Sequence, residues 1–186
     1  MNGALLRRWL WRTAFTCNGG LRVEGAVPDR PCVVVANHAS HADTAALLAA
    51  LPARSRPVVA AAADYWFAGP LRSLVCRALV AGFPVRRGGG GSADLARAVR
   101  LLEQGHIVVV FPEGTRSRDG RVGEFRSGAA RVAGKAGVPL QPVTIHGTSE
   151  VLPVHGRVRR GQVLVRFCRP VHDLETAHKL IEGDIS

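Results

Sequence analysis

No apolar run in the chain approaches the roughly 20 residues that a membrane-spanning helix needs. The longest, such as Val58 to Ala63, are far too short, which excludes a helical integral membrane protein. Aromatic residues make up only 5%, and there is no recognition helix, zinc finger or aromatic RNA-binding motif, which argues against nucleic acid as a partner. Cys17, Cys32, Cys76 and Cys168 are scattered, without the close pairs of a metal site or redox motif, so they read as reduced, mostly buried thiols. Gly88 to Gly91 lack a following Gly-Lys-Ser/Thr and therefore make no phosphate loop. Near the start, Arg7, Arg8 and Arg12 interrupt the leucines and tryptophans, so no secretory h-region forms and the protein is expected to stay inside the cell.

What the 186 residues do contain is a 47% hydrophobic composition, enough for one compact domain with a sizeable core and no separate second domain. The formal charge is +11, carried almost wholly by arginine, with only Lys135 and Lys179 as lysines. Such a surface attracts phosphate-bearing partners, and with nucleic acid set aside these are anionic lipid and acidic small molecules. Residues 1–20 fit a membrane-surface segment: Leu5, Leu6, Trp9, Leu10 and Trp11 stand among three arginines, a mixture suited to the headgroup layer. The competing expectation is a helix packed on the domain with its arginines in water. Residues 21–186 form the core of the domain.

Within that core the pattern alternates strand and helix. A weak strand at Leu21 to Glu24 precedes a strong one at Pro31 to Ala36, and the Thr44 to Leu51 helix and the Val58 to Ala62 strand follow. Leu71, Leu74, Val75 and Ala78 recur at helical spacing after the aromatic run Tyr65 to Phe67, which is either core or the lining of an acyl-chain entrance. Ser92 is expected to cap a helix carrying Leu95, Val99 and Leu102 on one face, with Gly105 ending it. His106 to Phe111 reads as a central strand, Ser127 to Ala136 as a helix ended by Gly137, and Val138 to Ile145 as a strand either curved beside a site or lying at an edge. Val163, Val165 and Phe167 alternate in a half-exposed strand before a final short helix. The fold class is therefore α/β: a mixed, mostly parallel central sheet flanked by helices.

Two stretches carry chemistry. Asn37-His38-Ala39-Ser40-His41-Ala42-Asp43 lies at a strand-to-helix turn, where Asp43 can fold back and accept from one ring nitrogen of His38. The other nitrogen is then a base for a hydroxyl that attacks a carbonyl, and no serine or cysteine nucleophile is needed if the substrate brings the hydroxyl. The bland alternative is a capping box formed by Ser40 and Asp43, with His38 a hydrogen-bonded core residue. The second stretch, Pro112-Glu113-Gly114-Thr115-Arg116-Ser117, follows the central strand and gathers an acid, hydroxyls and a guanidinium suited to a phosphate. Polar turns after parallel strands can meet at one sheet edge, where α/β folds place ligands. His146 and His155 fall in loops without ligand spacing, and no metal site is expected.

With both stretches placed, the sequence resembles the glycerolipid acyltransferase family that includes the 1-acylglycerol-3-phosphate acyltransferases. The resemblance runs from about Val33 to Phe167 and adds Phe83-Pro84-Val85-Arg86-Arg87 and Val138-Pro139-Leu140-Gln141-Pro142 to the two motifs, all in the family order. It implies a membrane-associated O-acyltransferase, peripheral on the cytoplasmic face, that moves a fatty acyl group from acyl-CoA or acyl carrier protein to the free hydroxyl of 1-acylglycerol-3-phosphate, giving phosphatidate, with no cofactor. By resemblance His38 is the general base and Asp43 its orienting partner. Arg87, Glu113, Gly114, Thr115 and Arg116 would hold the acceptor phosphate, and Pro139 would shape the acyl site. Where many members carry a lysine, this chain reads Ala60-Ala61-Ala62-Ala63-Asp64, which leaves room for a different lyso-lipid or alcohol as acceptor. A catalytically silent lipid-surface binding protein is the alternative from another class.

Overall fold

The computed structural model describes residues 3–86, 91–117, 119–153 and 157–185. The chain opens with helix α1, Gly3–Cys17, and strand β1, Leu21–Gly25. Strand β2, Val33–Ala36, leads into helix α2, Ala42–Ala50, and then strand β3, Val58–Ala62. Two short helices, α3 at Ala63–Trp66 and α4 at Pro70–Val75, run into a π-helical turn at Cys76–Val80 before strand β4, Gly82–Val85. Helix α5, Ser92–Glu103, strand β5, Val108–Val110, and helix α6, Gly128–Ala136, follow. Strand β6, Leu140–His146, helix α7, Thr148–Val151, strand β7, Val163–Phe167, and helix α8, Leu174–Ile185, complete the chain.

The seven strands form one sheet in the order β1-β7-β6-β2-β5-β3-β4, parallel throughout except where β7 runs against β6. Central β2 is buried on both faces, as its unbroken Val-Val-Val-Ala run demands. Val34 and Ala36 pack with α2 and Phe15 of α1, while Val33 and Val35 pack with Leu95 and Leu102 of α5, Ala129 and Val132 of α6 and Ile181 of α8. The result is a single α/β domain of three layers, as the alternating pattern implies. Every residue of α2 except Thr44 is buried, and its alanines let the helix lie close to the sheet.

Three local expectations change. Ser92 is the first helical residue of α5, and Gly91, which has no side chain to accept from the helix, stands at its cap, while nearby Asp94 accepts from the Arg86 backbone N–H and guanidinium. The proline-bearing β6 is interior, flanked by β2 and β7, whereas β4, with Pro84, is the edge. Pro142 is tolerated because its main-chain polar groups face β7 where that ladder ends: its carbonyl accepts from Cys168 N–H (3.0 Å), and β6–β7 pairing begins one residue later at Val143. His146 ends β6 instead of lying in a loop; it hydrogen-bonds Asp184 of α8 (3.0 Å) and so helps seat the last helix.

α1 meets the expectation of a helix packed on the domain, in an unexpected orientation. Ala4 and Phe15 are buried and Trp11 is half-buried, so the helix does pack on the domain. Leu5, Leu6, Trp9 and Leu10 nevertheless face outward, while Arg7 and Arg8 are partly tucked in. The Arg7 guanidinium donates to the Ala78 carbonyl (2.8 Å) and the Trp11 indole to that of Leu79 (2.9 Å), both on the π-helical turn.

Where β2 stops, buried Asn37 continues its ladder with a side chain. Its amide accepts from Ile145 N–H (2.8 Å) and donates to the Ile145 carbonyl (3.0 Å) of β6. Asn37→Ala strands two buried main-chain groups, each at about 1–3 kcal/mol. A loss of about 2–4 kcal/mol in urea unfolding is expected; a midpoint within error of the parent would remove Asn37 from the framework.

Candidate active site

β2 and β5 are adjacent and parallel, with Val35 beside Val110, so equal steps beyond each strand bring His38 and Glu113 together at the carboxyl edge. The helices that follow leave to opposite faces, α2 to one and α6 to the other, which opens a crevice between the two strand ends. His38 N–H donates to Glu113 Oε1 (2.8 Å), Gly123 N–H donates to Glu113 Oε2 (3.0 Å), and Ser117 N–H donates to the His38 carbonyl (2.7 Å). Both motif loops are thereby locked to one another.

Asp43 is wholly buried at the start of α2, and its Oδ2 accepts three bonds: from His38 Nδ1 (2.7 Å), Ala39 N–H (2.8 Å) and Ser40 N–H (2.8 Å). Ser40 Oγ in turn accepts from Ala42 N–H (3.0 Å) and donates to the Leu152 carbonyl (2.6 Å). The carboxylate half of the capping box and the oriented imidazole therefore share one oxygen, while the Ser40 hydroxyl takes the Ala42 N–H and not that of Asp43. Since a carboxylate oxygen accepts, Nδ1 carries the proton and Nε2 presents a lone pair. Among the described residues Nε2 has no hydrogen-bond partner. Phe111 stacks on the ring at 4.1 Å between centroids, fixing its plane, and the side chain keeps 20% of its surface exposed.

Next to the Glu113 loop a cleft of about 670 Å³ is lined by Thr115, Ser117, the guanidinium groups of Arg121 and Arg126 and the carboxylates of Glu113, Asp119 and Glu124, among others. Gly114 turns the chain into it with φ of 74°, and a Cβ there would stand 3.0 Å from the Arg126 guanidinium carbon, so only glycine admits that arginine so close. Arg116 reaches back to the first motif and donates to His41 Nε2. His41 is held below the usual histidine value, first by burial and then by Arg116 and His38, against an opposing pull from Asp43. Glu113 is pushed above the usual carboxylate value by burial, partly offset by the N–H groups of Gly123 and His38.

The structure thus brings together His38, Asp43, Glu113, Gly114, Thr115 and Arg116. Glu113 takes a role other than the phosphate contact implied by resemblance, because both of its oxygens are committed to main-chain donors that hold the loops. Pro139 is not brought to the site. It precedes Leu140, which pairs with Val33 at the amino end of β2, and its carbonyl accepts from Val33 N–H (3.1 Å). That is five residues before His38, or about 16 Å along the strands. Arg87 lies outside the described residues, as does His155. Arg121 and Arg126 were missed by sequence reasoning: they sit in a loop with no periodic signal, and only the folding of that loop onto Glu113 through Gly123 places them. No group of His, Cys, Asp and Glu suited to a metal occurs among the described residues.

Comparison with known proteins identifies the family. The family model described as Acyltransferase matches residues 20–146. A chloroplastic 1-acyl-sn-glycerol-3-phosphate acyltransferase from Brassica napus is 34% identical over 155 residues, covering 77% of this chain and 42% of the relative. The human 1-acyl-sn-glycerol-3-phosphate acyltransferase alpha is 34% identical over 160 residues, covering 82% of this chain and 56% of the relative. The chain thus spans about half the length of these relatives. The crystal structure of the 1-acyl-sn-glycerophosphate acyltransferase PlsC from Thermotoga maritima superposes with a TM-score of 0.80 at 28% identity, covering 98% of this chain and 78% of that one.

The His41–Arg116 contact has a measurable signature. A lowered folded value means that His41 contributes stability that is present above its ordinary 6.5 and lost as pH falls through the folded value. In a histidine NMR titration His41 should titrate below 6.5, and Arg116→Ala should move it upward while burial keeps part of the depression. An unchanged His41 titration in that variant would contradict the contact.

Proposed function

Because this chain belongs to the acyltransferase family, we propose that it transfers a fatty acyl group from acyl-CoA or acyl carrier protein to the free hydroxyl of 1-acylglycerol-3-phosphate, as a peripheral enzyme on the cytoplasmic face of the membrane. The observation that carries the proposal is the 2.7 Å bond from His38 Nδ1 to buried Asp43, which leaves Nε2 as a lone-pair base, next to a Glu113 loop whose cleft also holds the guanidinium groups of Arg121 and Arg126. The printed names of the relatives support the acceptor, since they are acyltransferases of 1-acyl-sn-glycerol-3-phosphate.

In this mechanism Nε2 takes the proton of the acceptor hydroxyl as its oxygen forms a bond to the thioester carbonyl carbon. Asp43 steadies the imidazolium so produced. Collapse of the tetrahedral adduct breaks the carbon–sulfur bond, and the proton held by His38 passes to the departing thiolate, leaving ester, thiol and neutral imidazole. The acceptor phosphate is assigned to Arg116, Thr115 and the cleft cations Arg121 and Arg126, with Arg87 assigned by resemblance alone. Guanidinium forks suit the paired oxygens of a phosphate. Glu113 and Gly114 act by shaping the loop. No described helix is long and apolar enough to cross a membrane.

At the same carboxyl edge β3 ends at Ala62 and is followed by Ala63 and Asp64 of α3, where a family lysine would add positive charge, so the acceptor is tested against other lyso-lipids. Free-thiol release from a long-chain acyl-CoA, and separately from acyl carrier protein, would be measured with lysophosphatidate and with other lyso-lipids. Acylated product requiring lysophosphatidate is expected from the parent and none from His38→Ala. Asp43→Asn should lower turnover by about 10³–10⁴-fold through the wrong imidazole tautomer, with little change in KM. Near-parental turnover by Asp43→Asn would sink the pairing; release only with another acceptor would change the substrate. No release with any donor would favour a silent lipid-binding protein.

A further inference from the structure

Among the described residues, eleven large hydrophobic side chains are conspicuously exposed, and nine of them fall on two stretches. Leu5, Leu6, Trp9 and Leu10 lie on α1. Tyr65, Leu71, Leu74, Val75 and Leu79 lie on α3, α4 and the π-helical turn, with Leu71 73% exposed and Leu74 64% exposed. The two stretches are joined, because Arg7 and Trp11 of α1 donate to the carbonyls of Ala78 and Leu79. Scattered exposed leucines need no explanation, but a contiguous set of this kind marks an interaction surface.

Charge selects its occupant. No acidic residue precedes Glu24, and none stands between Asp64 and Asp94. The same stretches carry Arg7, Arg8, Arg12, Arg72 and Arg77, with the Arg72 guanidinium 5.2 Å from the centre of the Tyr65 ring and that of Arg77 5.7 Å from the centre of the Phe67 ring. Outward leucines and tryptophan beside five arginines, with Asp64 the one carboxylate on these elements, match an interface of acyl chains below and anionic headgroups above. α3 begins one residue beyond β3, at the carboxyl edge that also holds His38. We propose that α1 and the α3–α4–π-turn segment form one composite docking face for an anionic bilayer, so that the membrane grips the catalytic domain itself and not only its N-terminal helix. The proposal rests on the lipid-acyltransferase reading for its purpose, but its geometry is independent of catalysis.

The test is co-sedimentation of the full chain with vesicles of phosphatidylcholine alone and of phosphatidylcholine with 30% phosphatidylglycerol. The parent should partition to the anionic vesicles, less so as salt rises. Leu71→Asp combined with Leu74→Asp should lower that partition at least tenfold, comparably to Trp9→Ala with Leu5→Asp on α1, whereas Val27→Asp, exposed elsewhere, should not. Unchanged melting temperatures would show that the variants fold. Parental binding by the Leu71/Leu74 variant would overturn the composite face. So would sedimentation velocity showing the parent as a dimer that this variant makes monomeric, since the occupant would then be a second copy. Thiol release with a short-chain, monomeric lyso-acceptor separates the two readings: turnover there with lost vesicle binding in the variant supports both, while vesicle binding without turnover by the parent fails only the enzymatic one.

Discussion

A single oxygen, Oδ2 of Asp43, is the point on which the rest of the site depends. Buried among alanines at the head of α2, it would be a costly group to hide without partners. Its three donors offset that cost and each does a different job: two main-chain N–H groups start the helix, and the imidazole N–H is fixed in place and in tautomer. Glu113 repeats the arrangement on the neighbouring strand, where its carboxylate gathers N–H groups from the His38 loop and from Gly123. Two buried carboxylates after two adjacent parallel strands therefore build a rigid floor, and they leave the Nε2 of His38 without a partner among the described residues.

Much of this was legible in the sequence because the chemistry lies immediately after apolar strands. The His38–Asp43 spacing and the valine run before it sufficed to place an oriented imidazole at a sheet edge. The capping-box pattern was equally visible, and it looked like a rival only because nothing in the spacing says that one oxygen serves both. The adjacency of β2 and β5 was not readable, since it depends on pairing between segments more than seventy residues apart. For that reason Glu113 was grouped with the phosphate contacts, although its neighbours commit both oxygens elsewhere. Pro139 was misplaced for a related reason: its motif is a strand, and a strand has two ends about 16 Å from each other's chemistry.

The orientation of α1 was hidden by a different ambiguity. Leucines, tryptophans and arginines are so interleaved from Leu5 to Arg12 that helical periodicity admits more than one buried stripe. The structure selects Ala4, Trp11 and Phe15, because the arginine heads can reach carbonyls such as that of Ala78 while their stems cover apolar surface. An apolar face of α1 is thereby left outward.

The central claim is that buried Asp43 holds His38 with its proton on Nδ1 and its lone pair on Nε2. The most direct measurement is nitrogen-15 NMR of the His38 ring in the otherwise unaltered protein above the imidazole titration. The account predicts a protonated Nδ1 hydrogen-bonded to the carboxylate and a bare Nε2. A ring found predominantly with its proton on Nε2, or exchanging freely between the two forms, would contradict it.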